Sequence, residues 1–315
     1  MIYINGVAKP KLSDLQIDAD KDWQNHTLTN IKKAVAAGQP LTIEQMLALV
    51  GYWTGEAGEV NCCALTQDAD YVYAGLVTSP AKVIQIAKST MTTSATWTAE
   101  AGENNCSALT QDADYVYAGL STSPAKVIQI DKSTMTTSAT WTGEAGENNC
   151  FALTQDADYV YAGIGTIPAK VIKIAKSTMT TSATWTGEAG EDRCYALTQD
   201  ADYVYAGLET SSAKVIKIAK STMTTSATWT GEASEVNCRL LTEDADYVYA
   251  GLETIPAKVI KIDKSTMTTS ATWTGEASDE YCSGLTQDAD YVYAGIGTSP
   301  AKVIKIDNRL RVPQF

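Results

Sequence analysis

The chain has 315 residues, 44% of them hydrophobic, and a formal net charge of −13 from 37 Asp and Glu against 24 Lys and Arg. That balance argues against a nucleic-acid partner, whose phosphates require clustered Lys and Arg. No apolar run approaches the ~18 residues of a membrane-spanning helix, and the opening "MIYINGVAKPKLSD" lacks the basic and then apolar regions of a signal peptide.

Residues 1–46 read as a leader of mixed character. "IYING" predicts a small strand. "NHTLTNIKKAVAAG" predicts a helix from Thr29 to Ala37, with Gly38 as its C-cap and Pro40 beyond. A helix this short needs packing against the rest of the chain or another subunit, which makes the leader a docking segment. "LTIEQMLAL" (41–49) admits a helix with Thr42 and Gln45 as a capping box. The overlapping "LALVGYW" (47–53) instead aligns with a strand that recurs later as "MTTSATW".

From here a repeat governs the chain. Trp53, Trp97, Trp141, Trp185, Trp229 and Trp273 stand 44 residues apart, and "DADYVYAG" occurs at that same spacing. Such a period suits a unit of about four short strands. Within one unit, "CSALT" (106–110), "YVYAGL" (115–120), "AKVIQI" (125–130) and "MTTSATW" (135–141) are strand-like runs bounded by turn residues. The second and third offer apolar groups to both faces, as sheets packed between sheets require. The sixth unit leaves the pattern at "DNRLRVPQF" before its fourth strand. The expected fold is therefore all-β: a six-bladed β-propeller over residues 47–308, with the strand at 47–53 completing the last blade and residues 309–315 as a tail.

Three recurring residue types are read first as structure. Cys62, Cys106, Cys150, Cys194, Cys238 and Cys282 begin the first strand of each unit, with Cys63 in addition. Positions related by rotation about a propeller lie too far apart for disulfides, so small buried thiols are expected, folded in a reducing cytoplasm. The paired aspartates of "QDAD" (Asp112 and Asp114, for instance) suit a self-bonded turn better than calcium, for which each turn has too few ligands. The tryptophans are expected in the core. No metal and no cofactor is expected.

The letters that vary carry the functional reading. The position after the cysteine reads Cys63, Ser107, Phe151, Tyr195, Arg239 and Ser283. Just before the cysteine stand Asn105, Asn149, Arg193 and Tyr281, and after strand two stand Glu209, Glu253, Ile167 and Ile255. In an up-and-down blade these positions lie at one end of the strands, and the unvarying turns lie at the other. Aromatic and Arg side chains dominate binding energies, and a background of Asn, Ser and Gly is paratope-like. Phe151, Arg193, Tyr195, Arg239 and Tyr281 are the expected ligand contacts, with Asn105, Asn149, Ile167, Glu209, Glu253 and Ile255 around them. The sole histidine, His26, lies in the leader, so the repeats hold no material for a His-based catalytic site. The protein is not expected to be an enzyme.

The blade "DADYVYAGLSTSPAKVIQIDKSTMTTSATWT" resembles repeats of the YVTN and WD-repeat-like propeller superfamily over residues 47–308. That resemblance implies a partner-binding protein. The leader "DADKDWQNHTLTNIKKAVAAGQPLT" (18–42), through Trp23, Asn25, His26, Leu28, Thr29 and Asn30, resembles an element of bacteriophage tail fibres and viral adhesins. It implies attachment to a virion or appendage through the leader, display at its surface, possible oligomerisation and a cell-surface glycan or protein as receptor. Two alternatives stay open: a structural decoration or assembly subunit of a virion or filament, and a soluble lectin. The lectin predicts equivalent sugar sites, which the blade-to-blade variation disfavours.

Overall fold

Strands with apolar groups on both faces form sheets only if both faces find cover, and here neighbouring repeats supply it. The computed structural model describes residues 2–4, 7–9 and 52–307. Ile2–Ile4 and Val7–Lys9 pair antiparallel with Ile2 opposite Lys9, so the expected small strand forms one arm of a hairpin. The helix at 29–37, the alternatives at 41–49 and residues 47–51 of the expected closing strand (47–53) fall outside the described residues, as does the tail at 309–315; Tyr52 and Trp53, the described end of that strand, are not in a strand. Two compact units divide the chain, one of Met1–Thr54 with Ser89–Thr92, the other of Gly55–Lys88 with Thr93–Phe315.

The second unit is a six-bladed β-propeller. Five sheets have four antiparallel strands in sequential order, and the sixth has three among the described residues. Blade 2 is typical: Cys106–Gln111, Tyr115–Leu120, Lys126–Asp131 and Thr136–Thr142. First strands of consecutive blades adjoin, which makes them the inner edge. Because successive side chains point to opposite faces, Tyr117 and Gly119 face the following blade while Val116, Ala118 and Leu120 face the preceding one. Each of five cores is thus shared by two blades. Tyr73, Val83 and Trp97 of blade 1, for example, bury against Val116, Leu120 and Ile130 of blade 2. Trp97, Trp141, Trp185 and Trp229 lie in these interfaces and tie adjacent outer strands: Trp141 Nε1 donates to Thr181 Oγ1 at 2.9 Å.

One contact sets how closely blades approach. The cysteine that opens each inner strand lies on the glycine of "YVYAG" in the preceding blade. A Cβ at Gly163 would stand 2.7 Å from Cys194 Sγ and 3.1 Å from the Cys194 carbonyl oxygen. The same contact recurs as Gly75 with Cys106, Gly119 with Cys150, Gly207 with Cys238 and Gly251 with Cys282. These five thiols are buried, and burial pushes Cys150 up to about 12. Cys62 departs from the expected six: it is exposed. Gly295, its match in the repeat, meets Gly284 and Ser283 instead. The face of blade 6 beside Gly295 is likewise uncovered, with Val303 75% exposed where Val259 is 3%.

Gly163→Ala should destabilise the protein by about 1–3 kcal/mol through overpacking. Combined with Cys194→Ala it should lose at least about 1 kcal/mol less than the sum of the single changes, because contacting residues couple. Denaturant titration of the three variants measures this, and strict additivity would show that the glycine does not serve the thiol.

Candidate functional site

The two ends of the blades are separated by hydrogen bonding. At one end the loop after strand two meets the loop that enters the next blade: Asn149 N donates to Thr122 O at 2.9 Å, and Ser123 Oγ to Asn148 Oδ1 at 2.6 Å. All expected contact residues from the described repeats belong to this end. At the other end the "QDAD" turn meets the turn between strands three and four, with Lys132 N donating to Asp114 O at 3.0 Å.

The position after the cysteine is special for a reason in the backbone. In every blade the pairing of strands one and two shifts register there; in blade 3 Cys150 faces Ile164 and Ala152 faces Gly163. Ser107, Phe151, Tyr195, Arg239 and Ser283 are each the extra residue of a β-bulge. A bulge leaves its extra residue out of the ladder and re-aims its side chain.

Consecutive blades bring the re-aimed side chains together. The Phe151 and Tyr195 rings stack at 4.7 Å between centroids and 14° between planes. The Arg239 guanidinium lies 4.1 Å over the Tyr195 ring. A stacked aromatic pair contributes about 0.5–1.5 kcal/mol beyond its buried area, and an exposed cation–π contact about 0.5–1 kcal/mol. Phe151, Tyr195 and Arg239 thus form a three-step ladder along the inner edge of blades 3 to 5, half-buried throughout.

Each step is matched by the residue across from it after strand two. Arg239 Nε and Nη2 both reach Glu253 Oε2 at 2.8 Å, and Asn237 Nδ2 donates to the same oxygen at 3.0 Å. Arg193 Nη1 pairs with Glu209 Oε2 at 3.0 Å. Burial pushes the Glu209 carboxyl up, but the Tyr195 hydroxyl and Arg193 outweigh it and hold it below the usual carboxylate range. Phe151 lies over Gly165, where a Cβ would come within 2.5 Å of its ring, and Tyr281 over Gly297, at 2.7 Å. Ser107 Oγ and Ser121 Oγ are 2.6 Å apart. Gly165, Gly297, Ser107, Ser121 and Asn237 lie in the variable columns but are not among the expected contacts. Comparing the variable columns pairwise, rather than singly, is the signal that would have found them.

Not every expected contact joins the ladder. Tyr281 stands apart in blade 6, 45% exposed, and Ile167 and Ile255 are exposed at loop tips. Asn105 and Asn149 have a backbone reason to be Asn, with φ of 53° and 56° in the left-handed region that Asn tolerates. Arg193 occupies the same place at φ 35°, a conformation that costs an ordinary side chain of order 1–3 kcal/mol. Variation also reaches the opposite end, in columns the sequence reading passed over: Gln85, Gln129, Lys173 and Lys217, and Ala87, Asp131, Ala175 and Asp263.

The aspartate turns are occupied by structure, as expected. Asp156 Oδ1 accepts from the backbone N of Asp158 (3.1 Å) and Tyr159 (2.9 Å), and Oδ2 accepts from the Tyr161 hydroxyl at 2.8 Å. Lys220 of the next blade lies 3.5 Å away. Burial pushes Asp156 up, but these bonds dominate and hold it below its ordinary value.

No family model matches the sequence, and no curated protein matches it. Solved structures do. The computationally designed Ika8 protein is 17% identical, with a TM-score of 0.61 over 78% of this chain and 71% of that one. Hydrazine synthase of Kuenenia stuttgartiensis is 13% identical, with a TM-score of 0.65 over 81% and 80%. BamB from Moraxella catarrhalis is 15% identical, with a TM-score of 0.53 over 79% and 76%. At these identities the likeness carries the propeller fold alone.

Folded Asp156 binds its proton less readily than an unfolded Asp, whose value is about 3.9. Its stabilisation is therefore complete above about pH 5 and drains away as pH falls below about 4. Asp112 and Asp200 are shifted in the same direction, so the protein should lose stability steeply in that window. Asp156→Asn should cost about 1–3 kcal/mol at pH 7 and flatten the acid limb. Urea midpoints at stepped pH test this, and an unchanged limb would contradict the assignment.

Proposed function

We propose that this protein is a non-enzymatic binding propeller that recognises an external ligand, a cell-surface glycan or protein, through the variable end of its blades. The observation that carries this reading is the Phe151–Tyr195–Arg239 ladder, stacked at 4.7 Å and 4.1 Å across three blades whose other strands are nearly identical. Aromatic and Arg groups pre-ordered in this way lose little entropy on binding, which is the property of interface anchors. The resemblance of residues 18–42 to tail-fibre elements supports the further reading that the propeller is the receptor-binding part of a viral tail fibre or other surface appendage.

Changing Phe151, Arg193, Tyr195, Arg239 and Tyr281 together to Ser should leave folding intact. Target binding should fall at least about thirtyfold, the weight of one anchor of ~2 kcal/mol. Cell adsorption and glycan- or protein-array binding are the measurements. Unimpaired binding by a folded variant would overturn the reading.

A second reading, an assembly subunit, is favoured by the bare face of blade 6. Val303 is 75% exposed and Ala301 is exposed, whereas their equivalents in blade 5, Val259 and Ala257, are 3% exposed and fully buried. If that face joins subunits, Val303→Glu should dissociate an oligomer seen by light scattering. A monomer before and after the change would sink this reading.

A further inference from the structure

The ladder stops short of the positions able to carry it. Phe151 gives one ring face to Tyr195 of blade 4. Its other face turns toward blade 2, where the same bulge position holds Ser107. Phe151 is only partly buried. The step from one blade to the next is the step that elsewhere seats a ring or guanidinium at 4.7 Å or 4.1 Å. A ring seated beside Phe151 would repeat that step, at the level where blade 2 carries the hydroxyls of Ser107 and Ser121, 2.6 Å apart.

The surrounding polar groups define what fits. In blade 5 the amide of Asn237 is taken up by Glu253 at 3.0 Å. Across from Asn105 and Asn149 stand Ser121 and Gly165, so no carboxylate takes up their amides. The nearby carboxylates Glu209 and Glu253 are already matched to Arg193 and Arg239. The step thus offers an aromatic platform, hydroxyls and amides, and the ladder's own charges are matched.

We infer that a neutral hexopyranose binds here, its C–H face on Phe151 and its hydroxyls on Ser107, Ser121 and the Asn105 and Asn149 amides. This rests on the reading of the variable end as a recognition face. A purely aromatic ligand would fill the same step but strand the hydroxyls and amides, at the cost of unmade hydrogen bonds.

The test is saturation-transfer NMR on the whole chain with the methyl pyranosides of glucose, galactose and mannose, and with benzyl alcohol as the aromatic probe. Transfer to ring protons of at least one pyranoside is expected. The variant S107F/S121G copies the Phe151–Gly165 pairing of blade 3, so the fold already accommodates it, and it should remove that transfer at least tenfold. Phe151→Leu keeps the apolar volume without the flat face and should do the same. Equal transfer to wild type and both variants, or transfer to benzyl alcohol alone, would overturn the inference. Full target binding by S107F/S121G, alongside loss in the five-serine variant, would sink the sugar step and leave the recognition face standing. Unimpaired binding by the five-serine variant would sink both.

Discussion

A thiol resting on a bare glycine is the contact from which the geometry of the propeller follows. Strand two of each blade has no side chain where the inner strand of the next blade must pass, and the cysteine fills the space that remains. Sulfur is compact and polarizable enough to pack there without demanding a hydrogen-bond partner. The contact recurs five times in nearly the same form, with the thiol 2.6–2.9 Å from where a Cβ would be. It therefore sets one common step between blades. Phe151, Tyr195 and Arg239 each follow such a cysteine directly, so the step that seats the thiols also seats the ladder. A stack spanning three blades needs no contact of its own to be in register.

The opposite end is braced differently. There the first aspartate of each turn bonds its own backbone and a tyrosine of strand two, and in the first four blades a lysine of the next blade reaches back to it: Lys176 to Asp112 at 2.9 Å, Lys132 to Asp68 at 3.2 Å. Any change in these residues would disturb two blades at once. With the inner strands pinned by thiols and the lower turns of four blades by charge, the bulge and the loop after strand two are places where side chains change together, in matched pairs.

Much of this was legible in the sequence because the repeat writes it several times. The 44-residue spacing, four strand signals per unit and the sorting of loops to two ends require only periodicity and alternation. The thiol–glycine contact was half legible: buried cysteines were expected, but their glycine partners lie in another blade, a separation no local pattern encodes. The matched pairs were hidden by the bulge. Regular pairing would put Phe151 opposite Gly163, whereas the shift between Cys150 and Ala152 turns it onto Gly165. Asn105 and Asn149 were read as contacts because Asn suits a paratope, and their left-handed backbone gives a second reason that composition cannot reveal.

Whether the variable end reflects drift or use turns on what the variation preserves. At the opposite end Gln129 and Lys173 occupy one column and do one job: Gln129 Nε2 donates to Lys176 O at 3.4 Å, and Lys173 Nζ to Lys220 O at 2.8 Å. Gln85 and Lys217 make the same bond at 3.1 Å and 2.7 Å. Chemistry changes there while the interaction survives, which is how neutral exchange in a packed interface behaves. The bulge column behaves oppositely. A hydroxyl, a phenyl, a phenol and a guanidinium succeed one another, each with its own counterpart across the strand pair: Ser121, Gly165, Glu209 and Glu253. No shared bond is kept, yet each new group is accommodated and three of them stack. Drift constrained only by packing favours small polar residues at half-exposed sites, since large ones need a matching change opposite. Blades 3, 4 and 5 carry those paired changes side by side, and it is this adjacency, more than the identity of any one residue, that supports the proposal of a ligand-binding surface.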